Sequence, residues 1–513
     1  MYDKYIYNNY HTRTMEQSNV IKNAYIEISH ALQENTDLWP ENQFATLTVE
    51  IEDIPALTDE QHIIFSVDIS GSMSDVCEDG RTKMQHIVHT TRNIIDLFSD
   101  EKTSDITVEI HGFDEKLETI VAPTKCTDES RQLIQAAITT KLRPRDSTNI
   151  EIALKNAKQS LQSINCRKTH IFMTDGQVTA GEKNVEALKE CVDETFPNIF
   201  VGFGMDHDAY LLQTLATSGS YYYIDHVETA GLAYGEITHG IMYQALENTT
   251  ITVINGEIYD YRTNTWSNQL QIPSLVGEAK KTYHLRSATP SLLKATISGT
   301  NVQTKSPIQE DVDVLPELLG AEPNDFTKYL YRQRTLELIY EANELQKTEN
   351  KNARDRSTPY SRTSFTDILE KLDNFSKNMK EYMESKSLTD DDFMKTLCDD
   401  ISVTTDSLKS CGANIGMAYS AGRARSNGAQ GCYQPTFKRM NAGIFHDFGQ
   451  PPTLNRSNTT SRQMTVMQTL SQRNDDTQED IPPPPPFPFP FPAMTPRSNA
   501  MPTRSLSQTI SYE

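Results

Sequence analysis

Three short loops of the sequence carry carboxylate and hydroxyl oxygens in a pattern that suits a hard divalent cation. The first loop has a carboxylate and two hydroxyls at alternate positions, Asp68, Ser70 and Ser72, so one tight turn presents three oxygens on one side. The second loop contains Thr148 and the third contains Asp175. Mg²⁺ in proteins takes oxygen ligands in near-octahedral geometry at ~2.0–2.1 Å and tends to retain waters. These five side chains are therefore candidate ligands for Mg²⁺, or for Mn²⁺ in its place.

The elements around the loops bring all three to one edge of a predicted sheet. The first loop follows QHIIFSVD (61–68) and the third ends the run HIFMTDG (170–176), and both runs are apolar, as in strands covered on both faces. The second loop, residues 145–149, comes directly before a helix that starts near Ile150. Ligands in open α/β sheets bind outside the C-terminal ends of the strands. We therefore expect the three loops to meet at that edge.

Strands and helices alternate through the segment from 60 to 248. Further strands are predicted at ITVEIHGF (106–113), NIFVGFG (198–204) and YYYID (221–225), and helical periodicity fills the gaps, ending with a helix at about 228–247. Alternation at this spacing is typical of crossover connections between parallel strands. The segment is predicted to be a doubly wound, Rossmann-like α/β domain with a mostly parallel sheet and helices on both faces.

The D-x-S-G-S loop, the threonine loop and the sequence M-T-D-G at 173–176 together resemble the metal-ion-dependent adhesion site of von Willebrand factor A domains, such as integrin I domains. The resemblance covers roughly residues 60–248 and all five ligand positions. It implies that the three hydroxyls bind the metal directly, that the two carboxylates act largely through bound waters, and that a carboxylate from a partner completes the shell. In one departure, Asp146 and Ser147 precede Thr148, where the family usually has glycine.

A looser resemblance extends beyond the metal motif. The stretches GFGMDHDAYLLQTLATSGSYYYID and Gly431 to Met440 are similar to those of a subgroup of these domains in eukaryotic multidomain proteins, some with an intein-like Hint domain, and in plant RING-finger relatives. The sequence has no paired cysteines and no identifiable autoprocessing nucleophile, as the RING and Hint parts would require. Neither protein splicing nor ubiquitin ligation is therefore expected.

A second group of metal-ligating residue types, Asp206, His207 and Asp208, lies directly after a predicted strand. Aspartate before a helix commonly accepts hydrogen bonds from the first turn. We therefore favour Asp206 or Asp208 as a helix cap over a metal ligand, with His207 at the surface. Asp114 and Glu115 are predicted to be loop residues near the metal-binding face.

Sequence typical of β-strands brackets the α/β segment on both sides. FATLTVEIEDI (44–54) alternates apolar and polar residues, and TITVINGEIYDY, KKTYHLRS and LLKATISG follow after residue 248. We predict one small β-sandwich into which the α/β domain is inserted. The alternative, two separate β pieces, would leave a lone strand with no partner edge.

The chain is accordingly divided into consecutive segments. They are a polar N-terminal segment (1–40), a strand of the sandwich (41–58), the α/β domain (60–248), the rest of the sandwich (249–315), a helical region (320–412), the segment of looser family resemblance (413–445) and a disordered proline-rich tail (446–513). The tail contains IPPPPPFPFPFP (481–492), which favours polyproline II and does not build a core.

The composition narrows the class of partner and the compartment. A formal charge of −22 disfavours binding to nucleic acid and anionic membranes, which needs clustered Lys and Arg. The seven cysteines are scattered and never spaced C-x-x-C, which disfavours zinc sites and a disulfide framework. The N-terminus has no signal-peptide core, and no apolar stretch reaches ~18 residues, so we expect an intracellular, cytoplasmic protein.

Three functions are weighed against these observations. The first is a cation-dependent protein-binding or scaffold module whose partner presents Asp or Glu to the metal. The second is an adaptor that acts through the helical region and the proline run, since profilin, SH3, WW and EVH1 domains bind preformed polyproline II in aromatic grooves. The third is a Mg²⁺-dependent hydrolase, which is disfavoured because Ser70 stands where haloacid-dehalogenase-like enzymes need a second aspartate. P-loop, H-E-x-x-H and G-x-S-x-G motifs are also absent from the sequence, so we expect a binding protein and not an enzyme.

Overall fold

A computed structural model describes residues 20–28, 43–77, 79–100, 105–145, 147–217, 220–225, 230–316, 326–355, 363–436 and 454–476. Three β-sheets lie within these residues, one of six strands, one of five and one of four. Among the same residues, no helix combines the length and apolarity that crossing a bilayer requires.

The six-stranded sheet forms the centre of the α/β domain, with strand order β5-β4-β3-β6-β7-β8. Its strands are β3 (Glu60–Asp68), β4 (Asp105–Phe113), β5 (Leu117–Lys125), β6 (Arg167–Thr174), β7 (Asn198–Phe203) and β8 (Tyr221–Ile224). All neighbours are parallel except β4 and β5, which pair antiparallel at one edge. The predicted α/β class with a mostly parallel sheet is confirmed. Strand β5 was not predicted because it has no long apolar run. Only Ile120 and Val121 within it are buried.

Helices cover both faces of this sheet, as the apolar runs require. They are α1 (Lys83–Asp100), α2 (Asp128–Lys141), α3 (Ile150–Gln162), α4 (Val185–Glu190), α5 (Ala209–Leu215) and α6 (Ala230–Met242). Phe65 and Val67 of β3 join the apolar cluster that contains side chains of α1, α2 and α6. Ile64 belongs to a different cluster, with Ala157 and Leu161 of α3. Successive residues of β3 are thus buried on opposite faces, which fixes the strand between two helical layers.

The other two sheets are antiparallel and share one apolar cluster. Their strands are β1 (Ile21–Ile28), β2 (Gln43–Ile51), β9 (Gln244–Ile254), β10 (Glu257–Asp260), β11 (Thr265–Ser267), β12 (Gln269–Val276), β13 (Lys280–Ser287), β14 (Lys294–Asn301) and β15 (Pro307–Asp313). The strand orders are β1-β2-β13-β10-β11 and β12-β9-β14-β15. Leu47 and Leu285 from the first sheet and Ile251 and Ile297 from the second lie in the same buried cluster. Strand β2 precedes the α/β domain in the chain and pairs with β13, which follows that domain.

Two boundaries differ from the sequence analysis. Strand β1 lies inside the segment 1–40, which the sequence describes only as polar and for which no strand is predicted. A register shift between Ile21 and Asn23 interrupts the alternation of β1, and only Ile26 and Ile28 continue it as buried positions, so the period of two is short. The last helix of the α/β domain ends at Met242 and β9 begins at Gln244, short of the predicted helix end at 247.

The helical region is longer than predicted. Its helices are α7 (Thr327–Asp355), α8 (Thr363–Ser385), α9 (Asp392–Ser410) and α10 (Ala413–Gly428). Helix α10 lies beyond the predicted end at 412, in sequence rich in Gly, Ser and Asn that are poor helix formers. Most of α10 is buried. Gly416 approaches Gln346 of α7 and Gly422 approaches Pro435 so closely that any side chain would collide. Close packing therefore stabilises a helix whose intrinsic propensity is low.

Part of the segment 446–513, predicted to be a disordered tail, is a packed helix. Helix α11 (Ser461–Asp476) lies against α6, where Gly235 leaves room for Met467 and Gly231 leaves room for Leu470. Val466, Met467 and Leu470 are buried in the cluster of the α/β domain. Only this short apolar stripe is buried, and it is embedded in polar sequence, which is why the sequence pattern missed it. The proline run 481–492 lies outside the described residues.

Candidate metal centre

The first loop of the candidate site begins where β3 ends. Asp68 is fully buried, and its Oδ1 accepts a hydrogen bond of 2.8 Å from the backbone N–H of Ser70. The Oγ atoms of Ser70 and Ser72 are 3.0 Å apart. A single turn of 3-10 helix over Gly71–Ser74 follows, and Met73 anchors it in the core. The loop thus holds its carboxylate and two hydroxyls close together at the C-terminal end of the strand.

The third loop meets the first because β6 is the parallel neighbour of β3. The hydroxyl of Ser72 donates to Oδ1 of Asp175 at 2.7 Å. Thr174, the last residue of β6, donates from its hydroxyl to Oδ2 of Asp68 at 2.5 Å. Each carboxylate is therefore held by a hydroxyl from the other loop, and both are fully buried.

Thr148 completes the group from the second loop. Its backbone N–H donates to Oγ1 of Thr179 at 2.8 Å, and its carbonyl accepts from Thr179 N and Ala180 N. A Cβ atom at Gly176 would lie 3.4 Å from Oγ1 of Thr148, 3.5 Å from Oγ of Ser72 and 3.9 Å from Oδ2 of Asp68. Oxygens from the first and second loops therefore border the space beside Gly176 of the third loop. The structure brings the five predicted side chains together, and their role as metal ligands stays a prediction.

The chemistry of this group fits a hard divalent cation. Burial raises the pKa of Asp68 to about 7, and the negative charge of Asp175 adds to the increase. Two adjacent buried carboxylates are costly unless a positive charge neutralises them. Among the described residues, no three His, Cys, Asp or Glu side chains form a group that could hold a metal ion. A metal here would thus depend on two carboxylates and three hydroxyls, all of them oxygen donors as Mg²⁺ prefers.

Comparison with known proteins agrees with the arrangement of strands and helices. Residues 62–234 match the family model described as von Willebrand factor type A domain. This segment is a von Willebrand factor type A (VWA) domain. No curated protein matches the chain.

Several solved structures resemble the chain at low sequence identity. A von Willebrand factor type A protein from Catenulispora acidiphila is 15% identical, and the match covers 64% of this chain and 83% of that one, with a TM-score of 0.43. The ArnB paralog VWA2 from Sulfolobus acidocaldarius is 13% identical over 80% of this chain and 98% of its own, with a TM-score of 0.44. Proximal thread matrix protein 1 from the mussel byssus, with a zinc-occupied MIDAS motif, is 19% identical over 36% of this chain and 46% of its own, with a TM-score of 0.28.

One charged neighbour of the site in the VWA domain was not identified from the sequence. The ammonium group of Lys83 donates to Oδ2 of Asp175 at 2.8 Å and to Oδ2 of Asp75 at 3.1 Å. Burial lowers the pKa of Lys83, but the hydrogen bonds and charges of Asp175 and Asp75 outweigh it and leave the pKa raised. Lys83 is the first residue of α1, where the helix dipole disfavours a cation. A lysine in this unfavourable position is the sequence feature that points to a nearby carboxylate.

Two predictions concern the group Asp206, His207 and Asp208. One is confirmed and the other is wrong. Asp208 caps α5 by accepting from the backbone N–H of Leu211 at 3.0 Å, which confirms the cap. The prediction that His207 lies at the surface is wrong, because its ring is fully buried and stacks on Tyr223 with centroids 5.1 Å apart. The absence of a side chain at Gly202 makes room for the ring.

The hydrogen bonds of His207 fit one tautomer of the neutral ring. Nδ1 donates to the carbonyl of Gly204 at 2.7 Å, and Nε2 accepts from the hydroxyl of Tyr221 at 2.6 Å. Burial lowers the pKa of His207 to about 4. The imidazole is therefore neutral at physiological pH and acts as a packing element of the VWA domain.

Asp114 and Glu115 lie in the turn between β4 and β5, as predicted. Oδ1 of Asp114 accepts from the backbone N–H of Lys116 at 2.7 Å, and its Oδ2 lies 3.6 Å from Nη1 of Arg145. The carbonyl of Asp114 accepts from the backbone N–H of Asn149 at 2.9 Å. This turn therefore supports the loop of Thr148 from the side.

Proposed function

We propose that the chain is a divalent-cation-dependent protein-binding module. The observation that carries the proposal is the convergence of five oxygen-bearing side chains from three loops at the C-terminal edge of the VWA sheet. Asp68, Ser70, Ser72, Thr148 and Asp175 would hold the cation, Mg²⁺ or Mn²⁺. The bound cation supplies local positive charge, and the Asp or Glu carboxylate of a partner protein would occupy its open coordination position.

The surroundings of the site favour a partner with apolar side chains next to its carboxylate. Val76 and Met205 are both strongly exposed large apolar residues. Val76 follows Asp75, which is bonded to Lys83, and Met205 follows Gly204, whose Cβ position would lie 3.8 Å from Cε of Lys83. Both apolar residues are therefore adjacent in sequence to residues that lie next to Lys83 beside the site. Exposed apolar side chains around a charged centre are typical of protein-binding surfaces.

The helices and sheets would act as a rigid support for this surface. Asn414 at the start of α10 accepts from the backbone N–H of Ala209 at 2.9 Å and donates to the carbonyl of His207 at 2.6 Å. His284 of β13 is hydrogen-bonded to Gln333 of α7 at 2.8 Å. Since the helices already pack within the chain, we assign the adaptor alternative to the proline run at 481–492. We propose no catalytic role.

The test is calorimetric titration of Mg²⁺ and Mn²⁺ into the full chain and into the Asp68→Asn variant. Wild type is expected to bind one ion, and the variant to lose binding while its circular dichroism stays unchanged. Asp128→Asn is the control, because Asp128 is an exposed aspartate in the first turn of α2. Capture of a partner from an extract should then require the cation and Asp68 together. Absence of cation binding by folded wild type would contradict the proposal.

A further inference from the structure

We propose that Lys83 is a built-in cation that weakens the affinity of the site for the divalent ion and keeps the loaded site positively charged. The inference rests on the metal site of the proposed function. It assigns a specificity-determining role to a residue outside the predicted ligand set. Lys83 would set how readily the ion enters and how strongly the loaded site attracts a carboxylate.

The position of the ammonium group is well defined by its contacts. It bonds to Oδ2 of Asp175, while Oδ1 of the same carboxylate accepts from Ser72. The lysine side chain is only 12% exposed. Asp75 binds it from the solvent side at 3.1 Å, and a Cβ atom at Gly204 would lie 3.8 Å from Cε of Lys83. Lys83 is thus held beside one of the five candidate ligands, as a fixed charge and not as a mobile surface side chain.

Charge counting gives the consequence for the cation. Among the buried groups, Asp68 and Asp175, when ionised, contribute two formal negative charges, and Lys83 cancels one of them. The side chain of Asp75 is 58% exposed, so water and salt screen its charge. A divalent ion then leaves these buried groups with a net positive charge, whereas without the lysine they would be neutral. At a few ångströms, in a partly buried environment, one unit charge changes the binding of an ion by tenfold or more as an order of magnitude. Lys83 should therefore weaken metal binding and strengthen carboxylate binding.

A purely structural role for Lys83 makes the opposite prediction for the metal. If the lysine only positioned Asp175, its removal would misplace a ligand and weaken cation binding. If its charge opposes the cation, its removal tightens binding. The direction of the change in affinity therefore separates the two roles.

The experiment is calorimetric titration of Mg²⁺ and Mn²⁺ into the full chain carrying Lys83→Gln, Lys83→Met or Lys83→Arg. Glutamine keeps a hydrogen-bond donor for Asp175 without charge, and arginine keeps the charge. We expect about tenfold tighter cation binding for Lys83→Gln and Lys83→Met, and an affinity within about twofold of wild type for Lys83→Arg. Lys125→Met is the control, because Lys125 pairs with Asp105 at an exposed position. Circular dichroism and thermal unfolding establish that each variant is folded.

A second titration addresses the charge of the loaded site. Acetate is added to the Mn²⁺-saturated proteins as a minimal carboxylate, and its binding is followed by the Mn²⁺ electron paramagnetic resonance signal. Acetate should bind more weakly to Lys83→Gln than to wild type. Equal or weaker cation affinity in folded Lys83→Gln, with wild type binding normally, would overturn the role of Lys83 alone. Absence of cation binding in wild type and in all Lys83 variants would overturn both this inference and the proposed function.

Discussion

At the scale of single residues, the site depends on short polar contacts inside an apolar sheet. Asp175 accepts from Ser72 on one oxygen and from Lys83 on the other, so both of its oxygens have partners. Asp68 is bonded to Ser70 N and to the hydroxyl of Thr174, with no cationic side chain among its hydrogen-bond donors. The two carboxylates are therefore unequal, and Asp68 has the greater need of an added cation.

Gly176 gives a prediction at this scale. Gly176→Ala should weaken Mg²⁺ binding by about tenfold, because its Cβ would occupy space bordered by the oxygens of Thr148, Ser72 and Asp68. The thermal midpoint should change little, since these distances are ordinary van der Waals contacts. Calorimetric titration measures the affinity. Gly240→Ala is the control, because nothing lies within 4 Å of its Cβ position, and it should bind the ion like wild type. Unchanged affinity in Gly176→Ala would show that this space is not where the cation binds.

The residues that could be predicted are recognised from their near neighbours in the sequence. Those that could not depend on contacts between distant segments. Asp68, Ser70 and Ser72 lie within one turn, and Asp175 follows an apolar strand, so type, spacing and strand end are all visible in the sequence. Lys83 acts through Asp175, 92 positions away, and only the folded sheet brings the two together. His207 was misplaced for the same reason, since the rings and the glycine that enclose it come from other elements.

At the scale of elements, packing overrides propensity in the parts of the chain that the sequence did not predict. Helix α10 has glycines where neighbours approach closely, and α11 has a narrow apolar stripe set in polar sequence. Strand β1 has a bulge, and β5 has only two buried residues. In each of these elements the apolar positions are too few to give a sustained period of 2 or 3.6, which is the signal that revealed β3, β6 and the helices of the VWA domain.

The contact between α6 and α11 gives the second prediction. A Cβ at Gly235 would lie 2.7 Å from the Cα atom of Met467, which is backbone and does not yield easily. Gly235→Ala should therefore displace α11 and lower the free energy of unfolding by about 1–3 kcal/mol. Hydrogen exchange should rise in Ser461–Asp476, as followed by mass spectrometry. Gly240→Ala on the same helix should leave that exchange unchanged, and equal protection in both variants would contradict the packing of α11 on α6.

At the scale of the whole molecule, buried polar contacts join the antiparallel sheets, the helical region and the VWA domain. Arg332 of α7 is buried and donates from Nη1 to the carbonyl of Thr282 in β13 at 3.2 Å. Its Nε donates to Oδ1 of Asn427 in α10 at 2.9 Å, and its Nη2 to the carbonyl of the same residue at 2.7 Å. Helix α10 in turn contacts the VWA domain through Asn414. One arginine thus connects three elements that are far apart in sequence.

Arg332 gives the third prediction. Arg332→Met should lower the free energy of unfolding by about 1–3 kcal/mol, because it leaves the carbonyl and side-chain oxygens of the buried Asn427 without these donors and removes one donor from the partly buried carbonyl of Thr282. Denaturant unfolding followed by far-ultraviolet circular dichroism measures the change. Arg334→Met is the matched control, since Arg334 is half-exposed and pairs with Glu337 within its own helix. A loss as small as that of the control would mean that the connection is not stabilising.

The pairing of β2 with β13 also constrains the order in which a growing chain can fold. The hydroxyls of Thr48 and Thr282 lie 3.1 Å apart although 234 positions separate them, and the chain enters and leaves the VWA domain side by side, with Leu57 N bonded to the carbonyl of Met242 at 2.8 Å. During synthesis β2 emerges first and has no β13 to pair with until the entire inserted domain has been made. The central sheet of the VWA domain pairs only strands of its own segment, so this sheet is free to form during the wait, and the folded domain brings the two ends together. The folded VWA domain then holds β2 close to β13, so a mutation that slows folding of the domain would also delay formation of the five-stranded sheet.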